Sequence, residues 1–536
     1  MPVHKELPIS MQSFSHIISE NCLYVDKTEY VHQLAKSRKL YFLARPRRFG
    51  KSLLISTFEA LFKGKKELFK KLWIDREDTW KWEPFPVILL DFNAMPHRSP
   101  DELNTVLNFA LEEEAAKCQI ELKTPFAATK FRELILKLKE KTGRDVVVLV
   151  DEYDKPVIDF LGKGEKALKI AAENREFLKG FYGILKSADA AASLRFVFIT
   201  GVSKFTKVSI FSELNNLDDL TMQEKYAALL GYTHEELLQF FHGHIRLLAN
   251  KLNLSCDETV EKLKTWYYGF RFTDNRVMVY NPVSILNLLN TFTFANYWFE
   301  TGSPAFLISL LKEKNYYLPN LENIEAVRDT FSAYDIENLN IEPVLFQTGY
   351  LTIKDVKEVS SRHIAENIYV LSYPNEEVRI SFLRHLFAAW SKVDNGKSAR
   401  MIYLPDHLDN GRYDAFFDIV KSLFASIPYT LITNRDEGYF HSLFYMMMCG
   451  SGIDAVNEVL TGKGRIDLLI ELTDKVFIIE FKCNQNAGRA ISQIKQKGYA
   501  EKYRGEGVKV ILVGIDFSSE ERNIREWKIE ELNLQT

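Results

Sequence analysis

The chain is poor in cysteine and shows no pattern in what it has. Five thiols, Cys22, Cys118, Cys256, Cys449 and Cys483, are scattered over 536 residues. Their number is odd and no two share a metal-ligand spacing, which excludes a disulfide framework and a thiolate metal site. They read as reduced thiols of a cytoplasmic protein. No run approaches the roughly 18 apolar residues a membrane span needs, so no membrane partner is expected. Met1-Pro2-Val3-His4-Lys5-Glu6 has no apolar signal core. The net charge is only −3, so any contact with nucleic acid must come from a local basic patch. Internal repeats and low-complexity linkers are absent. What remains is an ordinary soluble composition, 46% hydrophobic and 26% charged, in a chain too long for one core. Such a length predicts roughly three to four domains.

One stretch organises the chain: Ala44-Arg45-Pro46-Arg47-Arg48-Phe49-Gly50-Lys51-Ser52. It follows the apolar run Leu40-Tyr41-Phe42-Leu43, which predicts a buried strand. It precedes Leu53 to Phe62, whose apolar residues recur at helical spacing. Strand, turn with Gly-Lys-Ser, then helix is the context of a phosphate-binding loop. The helix start offers free N–H groups to an anion. Lys51 would reach the β- and γ-phosphates of ATP, and Ser52 would ligate Mg²⁺. The first glycine of the usual loop is replaced by Arg45. Pro46 can stiffen the turn, and Arg47, Arg48 and Phe49 complete the candidate nucleotide contacts. The plainer alternative is a basic turn before an ordinary helix.

Asp145 to Val150 forms a β-branched run that ends in Asp151-Glu152-Tyr153-Asp154. Behind a Gly-Lys-Ser loop, Asp151 would hold the Mg²⁺ shell and Glu152 would polarise the attacking water. Two carboxylates at a strand end also suit a solvated loop. Pro86–Phe92 and Leu194–Gly201 predict further strands, with helices at about 101–142 and 165–188 between them. Alternation of this kind implies a parallel sheet with ligands at the strands' carboxyl ends. Thr200, Ser203 or Lys204 would then lie near the γ-phosphate. Residues 11–38 predict helix; Asp26 or Thr28 is a candidate cap, and Tyr24–Tyr30 a candidate for the adenine side.

From about 222 to 310 the pattern is helical and aromatic, which suits a core or a domain seam. Residues 340–380 mix strand and turn signals, as in Phe346-Gln347-Thr348-Gly349-Tyr350-Leu351-Thr352-Ile353, and suggest a winged-helix-like module.

The last region carries a second constellation. Gly464-Arg465-Ile466-Asp467-Leu468-Leu469-Ile470 and Val476-Phe477-Ile478-Ile479-Glu480-Phe481-Lys482 predict a hairpin turning near Thr473-Asp474-Lys475. Glu480 and Lys482 alternate along one strand and leave the same face. An aspartate followed by Glu-x-Lys is the pattern of a metal-dependent phosphodiesterase. Asp467 and Glu480 would hold Mg²⁺, and Lys482 would stabilise developing phosphorane charge or orient the attacking water. Glu437, opening an apolar helix, is a candidate additional acid. A Glu-x-Lys pair on a strand is otherwise a solvated edge. The helix that follows carries Gln493, Lys495, Lys497 and Tyr499, candidates for nucleic-acid contact.

With these motifs in place, the chain resembles bacterial AAA-ATPase-like proteins that carry a PD-(D/E)XK nuclease-like domain at the carboxy terminus. The matching stretches are Tyr24-Val25-Asp26-Lys27-Thr28, Arg45 to Ser52, Asp151 to Asp154, Gln347 to Thr352 and the Gly464-to-Lys482 block. Arg45 is that family's own form of the loop. The resemblance implies an α/β multidomain protein: a P-loop ATPase core with a parallel sheet (1–222), a helical lid (223–320), a winged-helix-like module (321–400) and a restriction-endonuclease-like α/β domain (401–536). It implies ATP and Mg²⁺ as cofactors, nucleotide and DNA as partners, and an intact nuclease core. The expectation is a cytoplasmic ATP-binding switch that controls a Mg²⁺-dependent nuclease; oligomerisation stays open. The alternatives are a non-cleaving ATP-regulated scaffold that binds DNA or protein, and a DNA-processing ATPase of a mobile element.

Overall fold

The apolar run at residues 40–44 forms strand β1 (Leu40–Ala44) of a five-stranded sheet. Its other strands are β2 (Val87–Asp91), β3 (Val146–Asp151), β4 (Leu194–Gly201) and β5 (Leu217–Asp219). The order is β2-β3-β4-β1-β5 and every pairing is parallel. β3 is buried along its whole length, as its run of valines requires of a strand covered on both faces. This computed structural model describes residues 5–532 except 205–209, 212–213, 215, 300–304, 315, 332–339, 361–364, 394, 428–435 and 505. Met1–His4, part of the stretch read for a signal core, lie outside the described residues. No described helix is long and apolar enough to cross a membrane.

Helix α1 (Lys51–Phe62) follows the loop after β1. The helical region expected at 101–142 is two helices, α2 (Pro100–Lys117) and α3 (Ala127–Thr142). The break, residues 118–126, contains Pro125, which cannot donate to a helix ladder, and Gln119 turns left-handed at φ +52°. Residues 11–38 likewise split, into Phe14–Ser19 and Thr28–Ala35. Asp26 closes the second piece: its Oδ1 accepts from Thr28 N at 2.9 Å, and its Oδ2 from Trp73 N at 2.6 Å.

Beyond the sheet, α4 (His234–Leu252) and α5 (Cys256–Tyr267) each begin with a capping box, Thr233 with Glu236 and Ser255 with Glu258. With α6 (Pro282–Thr291) they enclose a core that also takes in Leu23 and Val25. Residues 346–353, read as mixed strand and turn, are the end of helix α7 (Ile341–Thr348) and the start of a strand. A separate antiparallel sheet follows, β6 (Ile324–Val327), β8 (Ala365–Ser372) and β7 (Thr352–Ser360), in that order.

The chain condenses into two units. One is Met1–Leu310 with Asn323–Asn375; the other is Leu311–Glu322 with Glu376–Thr536. The second is built on a mixed sheet of β9 (Ala455–Thr461), β10 (Gly464–Glu471), β11 (Lys475–Cys483), β12 (Lys509–Ser518) and β13 (Asn523–Leu532). Its order is β13-β12-β11-β10-β9, with β11 and β12 parallel and the other pairs antiparallel. Helix α8 (Ala487–Lys497) makes the crossover from β11 to β12 and buries Ile491 and Ile494 against Ile466, Ile478 and Leu512. Helix α9 (Glu437–Ser451) covers the other face. Its Phe440 stacks on Phe517 at 4.7 Å between ring centres, and Phe444 meets Phe481 at 5.3 Å.

Candidate functional site

In the first unit the turn after β1 enters α1 through Gly50, whose φ of +94° suits glycine alone. Arg48 is also left-handed, at φ +71°. The loop is pinned along its length. Arg45 is buried: its Nη1 donates to the carbonyls of Ala44 at 3.0 Å and Thr221 at 2.6 Å. Its guanidinium lies 4.4 Å over the Phe272 ring, while Nε and Nη2 have no partner. Burial lowers its pKa to about 9. Phe49 is buried too, with ring centres 5.0 Å from Phe270 and 5.4 Å from Phe272. Pro46 packs on Gly349, where a Cβ would stand 2.8 Å from the Pro46 Cβ, at a φ of +86°. Arg45, in place of the first glycine, is thus an anchor of the loop. Sequence reasoning did not find that role, although the arginine between a strand and a proline was its only signal.

Lys51, nearly enclosed, directs its ammonium at the loop carbonyls of Arg45 (3.1 Å) and Pro46 (3.2 Å) and at Glu152 (3.3 Å). Carbonyls gathered round an ammonium mark the place a phosphate would compete for. Asp151, at the end of β3, accepts from Thr200 Oγ1 at 2.7 Å, and the Ser52 hydroxyl lies near enough to favour its charged form. Burial raises its pKa, and those hydroxyls oppose the rise. Glu152 stands at φ +53°, a strained backbone for a side chain, as at many functional sites. Lys51, Ser52, Asp151, Glu152 and Thr200 are therefore brought together. Asp154 is wholly buried and accepts from Val202 N, Ser203 N and Ser203 Oγ. Burial pushes its carboxyl up to about 6. Lys204 Nζ pairs with Asp219 at 2.9 Å, and its backbone N–H donates to Gln347 Oε1 at 2.7 Å. Arg47 is exposed and Arg48 half-buried.

Beside Gly50 lies an apolar pocket of about 560 Å³, solvent at its mouth included, lined among others by Tyr24, Val25, Phe49, Leu230 and Tyr232. Lys27 forms part of its wall and is held by Glu236 at 2.6 Å and the Ala228 carbonyl at 2.7 Å. The Tyr24–Thr28 stretch thus stands next to the loop.

In the second unit β10 and β11 place Asp467 and Glu480 within each other's field. Asp467 Oδ2 accepts from Phe481 N at 2.9 Å. Glu480, 1% exposed, is pushed up to about 8, first by burial and then by the charge of Asp467. Its Oε1 accepts from Lys482 Nζ at 3.3 Å and from Gln493 Nε2, while Oε2 is buried with no partner. Lys482 also donates to the Phe481 carbonyl at 2.6 Å. Glu437 opens α9, half-buried; burial raises its pKa, Lys482 lowers it and Asp467 raises it. A divalent cation fits this donor set: two carboxyls in mutual repulsion, one with an idle buried oxygen. Asp467 and Glu480 would hold it, with Glu437 near. Among the described residues no three His, Cys, Asp or Glu side chains are grouped as a metal site.

Of the expected nucleic-acid contacts, Gln493 is at the carboxylates, whereas Tyr499 is buried in the core with Ile466 and Ile491, its hydroxyl donating to the Arg465 carbonyl at 2.8 Å, and presents no surface to a ligand. Lys495 pairs with Glu530 and Lys497 is exposed. Two neighbours escaped sequence reasoning. Asp516 lies beside Lys482 in register, fully buried and paired with Arg525. His441, one turn along α9 from Glu437, sets its ring 4.8 Å from that of Phe481. The spacing from Glu437 was the signal for it.

A family model described as a predicted AAA-ATPase matches residues 8–211. A model of the PD-(D/E)XK nuclease superfamily matches residues 435–527. A protein of Azotobacter chroococcum mcd 1, described as an uncharacterized protein in the vnfD 5′ region, is 36% identical over 98% of this chain and 99% of its own length. The chain belongs to the family that joins a predicted AAA-ATPase-like domain to a carboxy-terminal domain of the PD-(D/E)XK nuclease superfamily.

Proposed function

We propose that the chain is an ATP-binding and hydrolysing switch that controls a Mg²⁺-dependent nuclease acting on DNA. The observation that carries this is the intact Asp467, Glu480 and Lys482 set, with an idle Glu480 oxygen, in a chain that also gathers Lys51, Ser52, Asp151 and Glu152. In this reading the first unit is a P-loop core with a helical lid and a winged-helix-like module, and the second is restriction-endonuclease-like. Lys51 and the loop N–H groups from Arg47 to Ser52 bind the phosphates, Ser52 and Asp151 hold Mg²⁺, and Lys204 lies towards the γ-phosphate. Glu152 takes the proton of the attacking water. The pocket beside Gly50 takes the base. Lys482 orients water at the second site, and Gln493, Lys495 and Lys497 face the nucleic acid, while Tyr499 packs beneath them. Bound Mg²⁺ there would supply Lewis-acid polarisation of the phosphate.

A second reading is the non-cleaving scaffold, favoured by one observation: Lys482 and Gln493 already engage Glu480. Cleavage of a panel of single- and double-stranded DNA and RNA, with Mg²⁺ and with or without ATP, decides between them. Cleavage lost in Glu480→Ala supports the nuclease. No cleavage of any substrate in any nucleotide state supports the scaffold.

A further inference from the structure

Twelve residues, Leu311–Glu322, leave the first unit, pack within the second and return. They are anchored there by buried Leu311, Leu318 and Leu321, and by Lys312 Nζ, which donates to the Ala389 carbonyl at 2.6 Å. Between these anchors Tyr317 meets the carboxylate site. Its hydroxyl lies 2.8 Å from His441 Nδ1. The other ring nitrogen, Nε2, lies 3.1 Å from Asn457 Oδ1. An amide oxygen only accepts, so Nε2 carries the proton and Nδ1 accepts from the tyrosine. The ring also lies within the field of the Asp467 carboxylate. Asn457 is the β9 neighbour of Leu468, so both partners sit beside the strand that carries Asp467.

We propose that Tyr317 is a positioning residue of the metal site: through His441 it fixes where β10 presents Asp467 to the cation. This rests on the nuclease reading above. The physical argument concerns directionality. His441 is 6% exposed, so water is a poor substitute for a lost partner. With the Tyr317 O–H present the ring has one tautomer and one orientation. Without it, Nδ1 is a buried acceptor with nothing to accept, and ring flip or tautomer exchange breaks the bond to Asn457, which pairs with the residue next to Asp467 on β10. Hydrogen-bond partners of this kind, one shell behind a ligand, typically set about 10–100-fold in metal affinity.

The test uses the full chain and Mn²⁺ as the probe. Calorimetry measures the Mn²⁺ uptake that disappears in Glu480→Ala, in wild type, Tyr317→Phe, His441→Gln and the double variant. The expected result is about tenfold weaker uptake in each single variant, and no further loss in the double. Thermal melts confirm that each is folded at the working temperature. Nitrogen NMR of labelled histidine gives a reading without metal: one fixed Nε2–H tautomer for His441 in the wild type, and mixed tautomers in Tyr317→Phe. Wild-type affinity in a folded Tyr317→Phe, or additive losses in the double variant, would overturn the proposal while leaving the nuclease reading intact. No Glu480-dependent uptake by the wild type would overturn both.

Discussion

Mn²⁺ or Mg²⁺ binding at the second site should expel a proton from Glu480. Its carboxyl is held up at about 8 by burial and by Asp467, so at neutral pH the metal-free site is mostly protonated. A metal ligand must be the carboxylate. At pH 7 a group of that pKa is about nine-tenths protonated, so close to one proton leaves for each cation bound. Metal affinity should then fall about tenfold for each pH unit below 8, and level off above it. The assay is calorimetry of the nucleotide-free chain in two buffers of unlike ionisation enthalpy, where the difference in heat counts protons. The same shift has a sign for stability. Between the ordinary glutamate range and about 8 the folded chain keeps a proton that the unfolded chain releases. Stability without metal is full below that range and is lost as pH rises through about 8; Glu480→Gln should flatten the slope. Metal binding at pH 7 with no proton release would refute the argument from Glu480.

Lys51→Ala should lose most ATP affinity, while Glu152→Gln should keep it and hydrolyse slowly; calorimetry and phosphate release read the two, and unchanged affinity in Lys51→Ala ends the assignment. Lys482→Ala should bind Mn²⁺ and DNA yet cut at least about a hundredfold more slowly, in keeping with loss of a transition-state contact; a wild-type cleavage rate would remove Lys482 from the chemistry. Gly349→Val should destabilise the first unit by about 1–3 kcal/mol, from left-handed strain and the clash with Pro46, read as a lower Tm. If ATP opens the nuclease, Glu152→Gln with ATP should be the most active form on DNA, and equal cleavage in the apo, ADP and ATP states would show no coupling.

Much of this was legible in the sequence, and what was not has a physical reason. β1, β3 and β4 read as strands because they are buried on both faces and hence continuously apolar. The edge strands β9 and β13 did not, because Val456-Asn457-Glu458 and Arg525-Glu526-Trp527-Lys528 alternate with solvent and resemble loops. Gln347-Thr348-Gly349 looked like strand and turn because its apolar neighbours are β-branched or aromatic, yet Gly349 is the left-handed stop of a helix. Asp467, Glu480 and Lys482 were found by spacing along two adjacent strands. Tyr317 and His441 lie 124 positions apart, and nothing local announces such a pair. Arg45 read as charge in a phosphate loop, whereas packing under Thr221 and Phe272 makes it part of the interior.

The excursion of Leu311–Glu322 bears on how such a protein can be inherited or dissected. A nuclease added at a chain end could be lost by one stop codon or moved by one fusion, leaving its former host whole. Here a stop soon after residue 375 strips the buried leucines of the excursion of the core they fill, and exposes them on what remains. A fragment that begins at residue 376 lacks the same leucines and the Tyr317 hydroxyl. Neither half is a finished product by itself. Gain or loss of the whole is therefore the easier evolutionary step, and the Azotobacter relative keeps both halves at 99% of its length.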